Sequence, residues 1–328
     1  MINNCTLQPN LPYFVTMLDL TSTNLGNNRR NNHQMLFNFQ NNGKAIGTAI
    51  KQCIEEGLVK REDLFITTKL WVVDWKKENV EKAIRQCLSD LQTDYIDLYL
   101  IHWPGACNLP EDEEKKRQEG YFFDYNGTQP DEPGRRLGYQ IENLKETWGA
   151  MEKLKESGLA RSIGVSNFTT KKLKDLLSFC TIKPAMNQVE LHPYLQQWEL
   201  KEFCDSQGIF LTAYYPLGGS ANATGQREEP LMKHPILRTI AEKYDKSTAQ
   251  VMIRWAIQRG TVCIPKSSSP ERIVQNCDVF DFELTEEEMR EIRAMDRHHR
   301  FCNGAFLLPA PFTWKDLWDG ENVALRVC

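Results

Sequence analysis

The sequence predicts an α/β fold, a (β/α)8 barrel of the TIM type whose first β/α units are irregular or incomplete. Three observations favour this class. From about residue 44 onward, short apolar segments alternate with segments whose apolar residues recur at helical spacing, which is typical of parallel β/α units. The strand-like segments are apolar almost throughout, as strands covered on both faces should be. The chain has 328 residues, and barrels of this size form single domains.

Helical periodicity predicts nine helices. They span 44–56, 76–91, 141–157, 169–179, 196–207, 234–244, 247–259, 270–277 and 285–296. Four of these helices have glycine where a helix typically stops, namely Gly57, Gly158, Gly208 and Gly260.

Six short apolar runs between these helices predict buried strands. They are 64–68, 94–102, 161–166, 185–191, 208–214 and 261–266. A closed eight-stranded barrel needs two more strands, and only the first 43 residues can supply them. PYFVTML at 12–18 and QMLFNF at 34–39 are the candidates. The sequence between them, DLTSTNLGNNRRNN, is rich in Asn and Gly and is a poor helix former.

Two long polar insertions follow predicted strands, at 105–140 and at 217–231. Because a barrel carries its functional loops at the carboxyl ends of its strands, both insertions should border the active face. The charged run EDEEKKRQE inside the first insertion is interpreted as a solvated surface.

A polar residue stands at or just past the carboxyl end of every predicted strand. The set is Lys69, His102, Ser166 with Asn167, Gln188 with Glu190, Tyr214 and Lys266. One polar strand end is ordinary, but six in order indicate a site, because the interior of a packed barrel is otherwise apolar.

Composition and charge exclude several classes of function. A net charge of −4 and a pI near 6.0 argue against a nucleic-acid partner. No apolar run reaches membrane-spanning length. The ten cysteines form neither a CxxC pair nor a zinc spacing, so we expect no metal and a reducing, cytoplasmic location. No GxGxxG follows a strand, so a dinucleotide would have to be held without the Rossmann device.

The motifs taken together resemble the aldo-keto reductase superfamily, and aldose and aldehyde reductases in particular. The resemblance is carried, in order, by KREDLFITTKLW, DYIDLYLIHWP, RSIGVSNF, PAMNQVELHPYLQQ, LTAYYPLGG and IPKSSSPERIVQN. It covers roughly 44–300. It implies a (β/α)8 barrel over that range, preceded by a divergent segment at 1–43 and followed by a C-terminal tail at 301–328.

The resemblance implies a monomeric enzyme that reduces small aldehydes and ketones with NADPH. Lys69 matches the family lysine and His102 the family histidine. In the family, the lysine lowers the pKa of a tyrosine that protonates the substrate oxygen, an aspartate pairs with the lysine, and the histidine orients the carbonyl. The plain alternatives are an exposed lysine at a strand end and a buried, hydrogen-bonded histidine.

The resemblance also implies a cofactor set. Ser166, Asn167 and Gln188 match the residues that bind the nicotinamide carboxamide, and Tyr214 the ring on which nicotinamide stacks. Leu217 and Gly218, with Gly219, match the pyrophosphate loop. Lys266, Ser267 and Arg272 match the clamp on the adenosine 2′-phosphate, which favours NADPH over NADH. Gln275 and Asn276 match the adenine contacts. The alternative for Lys266 and Arg272 is a solvated helix start.

Substrate-pocket walls are implied at Trp71 and Trp103. The tail FCNGAFLLPAPFTWKDLW is apolar and aromatic, and in the family such a tail folds over the barrel mouth and sets substrate preference. The alternative is that it only covers the side of the barrel.

The family aspartate and tyrosine have no counterpart in this chain. The family pattern IDTAxxYxNE precedes a helix that corresponds here to IGTAI. An ungapped alignment puts Met35 at the aspartate and Gln40 at the tyrosine. One inserted residue at Gly43 puts Phe39 at the tyrosine instead. Neither alignment supplies a phenol or an acid to Lys69, and losing a general acid costs roughly 10²–10⁴-fold in rate.

Three hypotheses follow from the missing acid. The chain is diverged or alternatively spliced and reduces poorly; or residues 1–43 are not the natural start; or Tyr13 or another group supplies the proton. We therefore expect either an impaired NADPH-dependent reductase or, from a different class, an NADPH-binding pseudoenzyme that acts as a sensor or partner-binding module.

Overall fold

The computed structural model describes residues 43–108, 136–219, 230–267, 269–304, 307–308 and 311–321. The candidate strands at 12–18 and 34–39 lie outside these ranges, as does most of both insertions.

The described residues form eight strands and ten α-helices. In chain order they are α1 (Gly43–Glu55), β1 (Thr67–Leu70), α2 (Lys77–Leu91), β2 (Ile96–Ile101), β3 (Ala106–Cys107), β4 (Arg136–Gly138), α3 (Ile141–Glu156), β5 (Ala160–Ser166), α4 (Thr170–Leu177), β6 (Met186–Glu190), α5 (Trp198–Gln207), β7 (Phe210–Tyr214), α6 (Pro235–Lys243), α7 (Thr248–Gln258), β8 (Val262–Cys263), α8 (Pro270–Cys277), α9 (Glu286–Arg293) and α10 (Trp314–Leu317). Strands and helices alternate as predicted from the sequence.

The chain divides into two compact units. The first contains the described residues up to Met186 together with Asn303–Glu321. Its sheet has the strand order β1-β2-β5, and all three strands run parallel. Lys69 pairs with Leu100, and strand β2 is buried along its whole length, because both of its faces are covered.

The second unit contains Asn187–Cys302. Its strands follow the order β6-β7-β8, and β7 pairs with β8 in parallel. Helix α7 packs an almost continuous apolar surface that includes Val251, Met252 and Trp255, all of which are buried. A capping box at Ser247 begins this helix, since the Ser247 hydroxyl accepts from Gln250 N–H and the Gln250 side chain accepts in return.

The predicted strand at 64–68 is displaced, because the observed strand is Thr67–Leu70. The backbone N–H of Ile66 donates to the carboxylate of Asp97 (2.9 Å) instead of to a strand neighbour, and Phe65 is 44% exposed. Lys69 therefore lies inside β1 rather than beyond its end.

Three elements were not predicted from the sequence. Strands β3 and β4 pair antiparallel at the two ends of the first insertion, and α10 lies in the C-terminal tail. These elements are two to four residues long, too short for a periodicity to identify them.

Candidate active site

Lys69 and His102 lie at the carboxyl edge of the first unit's sheet. Lys69 is the third residue of β1, and His102 follows β2, where its backbone N–H donates to Leu70 O (3.1 Å). Burial, reinforced by the positive charge of Lys69, lowers the pKa of His102 well below its ordinary value. The imidazole is therefore neutral at physiological pH, with one ring nitrogen carrying a proton and the other not.

Aromatic rings surround this imidazole. Trp71 meets it edge-on with ring centroids 4.9 Å apart, and Trp103 lies parallel to it at 6.3 Å. Trp103 is buried and contacts Trp318 of the C-terminal tail at 6.2 Å. A Cβ on Gly304 would come within 2.7 Å of the Trp103 ring. The backbone of the tail therefore lies so close to this indole that only glycine fits at position 304.

Ser166 and Asn167 stand at the end of β5, and both are buried. The Asn167 amide donates to the backbone carbonyl of His102 (3.0 Å) and to the Ser166 hydroxyl (3.2 Å). Asn167 has a φ of 65°, a left-handed conformation that costs free energy for a residue other than glycine. The side-chain bond to His102 fixes the two strand ends relative to each other.

Gln188 and Tyr214 belong to the second unit. Gln188 is buried in β6, and Tyr214, the last residue of β7, is half-buried. Burial, with smaller contributions from Cys302 and Glu190, raises the pKa of Tyr214 well above its ordinary value. The phenol therefore keeps its proton, and the ring offers an uncharged aromatic face.

Leu217, Gly218 and Gly219 form a tight turn after β7. The N–H of Gly218 donates to Tyr215 O (2.8 Å), and Gly218 has a φ of 77°, which a glycine adopts without steric cost. A Cβ on Gly219 would come within 2.8 Å of the Phe301 ring. The Phe301 ring therefore packs directly against the backbone of the turn, on the side that faces the protein.

The remaining predicted cofactor residues surround the start of α8. Ser269 caps this helix by accepting from Arg272 N–H, and the Ser267 hydroxyl accepts from Ser269 N–H (3.1 Å). The side chains of Lys266 and Arg272 are exposed, and each residue is three positions from the cap Ser269 in the chain. Two cations beside the N–H groups of a helix start suit an anion. Further along α8, Gln275 is exposed and Asn276 is buried.

Sequence reasoning missed Lys172, Asp319 and Phe301, which shape these regions. Lys172 on α4 is buried, and its ammonium donates to Leu317 O (2.7 Å) and to the carboxylate of Asp319. In the second unit, Phe301 packs against the glycine turn. The partners are far apart in the chain, so no local pattern could have revealed them.

Met35, Phe39 and Gln40, the residues aligned with the family acid and phenol, lie outside the described ranges. Within those ranges, no cluster of His, Cys, Asp and Glu could hold a metal ion. Across the same part of the chain, no helix is both long and apolar enough to cross a bilayer.

The family model "Aldo/keto reductase family" matches residues 37–297. Its range includes Phe39 and Gln40 and begins after Met35.

Curated relatives match over most of their length. Aldo-keto reductase family 1 member A1 of Gallus gallus is 45% identical over 262 residues, which are 79% of this chain and 76% of that one. The Homo sapiens protein of the same name is 41% identical over 262 residues, with the same coverage. An aldo/keto reductase of Synechocystis is 44% identical over 283 residues, 85% of this chain and 82% of that one.

A solved structure has a similar fold. The crystal structure of a Bombyx mori aldo-keto reductase in complex with NADP aligns with a TM-score of 0.67 and 39% identity, covering 79% of this chain and 76% of that one.

Proposed function

Because the chain belongs to the aldo/keto reductase family, we propose that it is an NADPH-dependent oxidoreductase that reduces aldehydes or ketones to alcohols. The observation that carries the proposal is the neutral imidazole of His102, held beside Lys69 and walled by two indoles. A site of this kind binds an uncharged carbonyl, donates a hydrogen bond to its oxygen and offers it a nearby positive charge.

Bound NADPH supplies the hydride. His102 would hold the carbonyl oxygen by donating one N–H, and the ammonium of Lys69 would stabilise the negative charge that develops on that oxygen. The oxygen would then take its proton from water or from His102 to give the alcohol. Trp71 and Trp103 limit access of water to the same space, which strengthens both interactions. Asn167 acts behind His102 by fixing the backbone from which the imidazole projects.

The second unit offers groups that fit the cofactor. The glycine turn allows close backbone approach by a pyrophosphate, and Tyr214 offers a neutral ring to the nicotinamide. Within the second unit, Gln188 is the proposed partner of the carboxamide. The pyrophosphate is proposed to bind Leu217, Gly218 and Gly219. The 2′-phosphate is proposed to bind Lys266, Ser267 and Arg272, and the adenine to contact Gln275 and Asn276.

A second candidate function rests on the sequence of the first quarter. Neither Phe39 nor Gln40 can donate a proton from a phenol, and Met35 cannot pair with Lys69. In this proposal the chain binds NADPH but turns over slowly, with water or His102 as the proton source. Its role would then be that of a sensor or partner-binding module rather than of a full reductase.

We further propose a monomeric protein of a reducing compartment such as the cytoplasm, with a small carbonyl compound as its substrate. None of the eight cysteines in the described ranges forms a disulfide, which supports the reducing compartment.

Cofactor preference tests the assignment. NADPH should bind about 10- to 100-fold more tightly than NADH, because charge-assisted hydrogen bonds to the 2′-phosphate contribute about 1.5–3 kcal/mol. Arg272→Ala should remove most of this preference. The matched control is Arg290→Ala, an exposed arginine on α9 of the same unit, which should leave it unchanged. Equal affinity for the two cofactors, measured by fluorescence titration, would show that the 2′-phosphate clamp is wrongly assigned.

A further inference from the structure

A fully buried carboxylate lies at the end of β6, next to the proposed cofactor residues of the second unit. Glu190 is 0% exposed. Its Oε1 accepts the backbone N–H of Phe301 (2.6 Å), and its Oε2 accepts that of Cys302 (2.8 Å). The Nε2 of His192 lies 3.0 Å from Oε1. Both carboxylate oxygens are therefore used to hold one short stretch of backbone that is 111 residues away in the chain.

Glu190 is ionised in this environment. Burial alone would raise the pKa of this carboxyl, but the hydrogen bond and charge of His192, the charge of Arg300 and the N–H of Phe301 outweigh burial and lower it. Burying an ion is costly, but only a carboxylate can accept from both backbone N–H groups, because an amide would place an NH2 against one of them. The buried carboxylate therefore indicates that the backbone at Phe301 and Cys302 is held in a precise position.

That placement presses the Phe301 ring onto the glycine turn. The ring lies between His192 and His299, with centroids 5.0 Å and 4.8 Å away. A Cβ built on Gly219 would lie 2.8 Å from Cγ of Phe301 and 3.0 Å from its Cβ. The ring is thus in contact with the backbone of the turn, with no space between them.

We propose that Glu190 is a positioning residue for dinucleotide binding: it fixes the backbone at Phe301 and Cys302, so that the Phe301 ring supports the Gly218–Gly219 turn in the conformation that receives a pyrophosphate. This inference rests on the proposed function of the turn. A glycine turn is flexible on its own, and ordering it on binding would cost affinity. If the Phe301 ring already orders the turn in the folded protein, the entropic cost of ordering arises during folding and does not reduce the affinity for the dinucleotide.

Two variants interrupt the support at different points. Glu190→Gln keeps the volume but places an amide NH2 against a backbone N–H, so one of the two tethers is lost. Phe301→Ala keeps both tethers and removes the ring. The matched control is Glu288→Gln. Glu288 is also a buried carboxylate of the second unit. It accepts from Thr285 N–H, the Tyr244 hydroxyl and the Lys243 ammonium, none of which belongs to the turn.

Dissociation constants for three ligands separate the possibilities. They are NADPH, the same molecule without nicotinamide (2′-phosphoadenosine diphosphoribose), and adenosine 2′-monophosphate, which has no pyrophosphate. Glu190→Gln and Phe301→Ala should each weaken the first two ligands about tenfold, the equivalent of one hydrogen bond, and leave the third unchanged. Glu288→Gln should change none of the three, whatever its effect on thermal stability.

Each other outcome has a distinct meaning. If NADPH alone is weakened, Glu190 acts on the nicotinamide end through Tyr214, and the proposal is wrong. If all three ligands are weakened equally, or none is, Glu190 has only a structural role, and the proposal is again wrong. If the unaltered protein binds none of the three, the proposed function itself fails, and that result is recognised before any variant is made.

Discussion

His102 is a histidine that folding keeps neutral. Burial and the charge of Lys69 both act against its protonation. In the unfolded chain it titrates near 6.5. As the pH falls below 6.5, the unfolded state therefore takes up a proton that the folded state does not, and stability is lost. Above 6.5 neither state carries that proton, and this contribution to stability is complete.

We predict that His102→Gln flattens the fall in unfolding free energy between pH 6.5 and pH 5. The difference in slope should reach at most about 1.4 kcal/mol per pH unit, the value for one proton. His298→Asn alters an exposed histidine and serves as the control. Urea unfolding at both pH values measures the slopes. An identical slope in His102→Gln and the unaltered protein would mean that His102 titrates normally when folded.

The residues of the site were predictable to different extents. Lys69 and His102 were proposed as site residues because polar residues at strand ends stand out in an apolar sheet and because their neighbouring motifs resemble a family. The neutrality of His102 was not predictable, since it depends on burial. Glu190 was visible as a strand-end acid, but its partners at 301 and 302 are supplied by tertiary structure alone.

At the scale of elements, α1 and α2 pack closely through a glycine. A Cβ on Gly47 would lie 2.3 Å from Asp90 O and 2.7 Å from the carbonyl carbon of Leu91. Gly149 in α3 has nothing within 4 Å of that position. Both glycines lie within helices, so intrinsic helix propensity favours alanine equally at the two positions.

We predict opposite signs for the two alanine substitutions. Gly149→Ala should stabilise the protein by about 0.5–1 kcal/mol, because nothing opposes the gain in helix propensity. Gly47→Ala should destabilise it by about 1–3 kcal/mol, because helix backbone must move to admit the methyl group. Chemical denaturation of both variants measures this. Equal effects would show that α1 does not pack on α2 as closely as described.

The C-terminal tail is held to α4 by a buried ion pair. The ammonium of Lys172 donates to Asp319, and the Thr169 hydroxyl donates to the same carboxylate. Lys171 also reaches Asp319, at 3.6 Å, but its side chain is 64% exposed. Two adjacent lysines therefore contact the same carboxylate, one buried (Lys172) and one exposed to solvent (Lys171).

We predict that Asp319→Asn lowers the free energy of unfolding by about 3–5 kcal/mol, because it leaves the Lys172 ammonium buried without a counter-charge. Lys171→Met should cost less than about 1 kcal/mol, because an exposed pair is screened by water. Urea unfolding compares the two variants. A small effect of Asp319→Asn would indicate that the tail is not anchored at this point.

Element boundaries show the limit of sequence patterns. Helix α8 begins and ends as predicted, since Pro270 and a serine cap mark its start. Strand β1 is displaced because Asp97, on a neighbouring strand, binds the N–H of Ile66. Side-chain bonds of this kind depend on the assembled sheet and leave no periodic signal.

For the molecule as a whole, the α/β barrel class was predictable because strand and helix periods alternate over most of the chain. The family match over 37–297 and the alignment with a solved aldo-keto reductase confirm that class. Residues 1–42 lie outside the described ranges, so the candidate strands at 12–18 and 34–39 stay predictions. The proposed loss of the general acid stays a prediction drawn from Met35, Phe39 and Gln40.

The measurement that tests the account most directly is NADPH oxidation by this chain with an activated aromatic aldehyde, with NADPH binding measured in parallel. The Gallus gallus relative is run alongside as the reference. We predict that NADPH binds and that turnover is slower than the reference by roughly 10²–10⁴-fold, the usual cost of a missing general acid. Turnover at the reference rate would contradict the account, because some group must then replace the absent tyrosine beside Lys69.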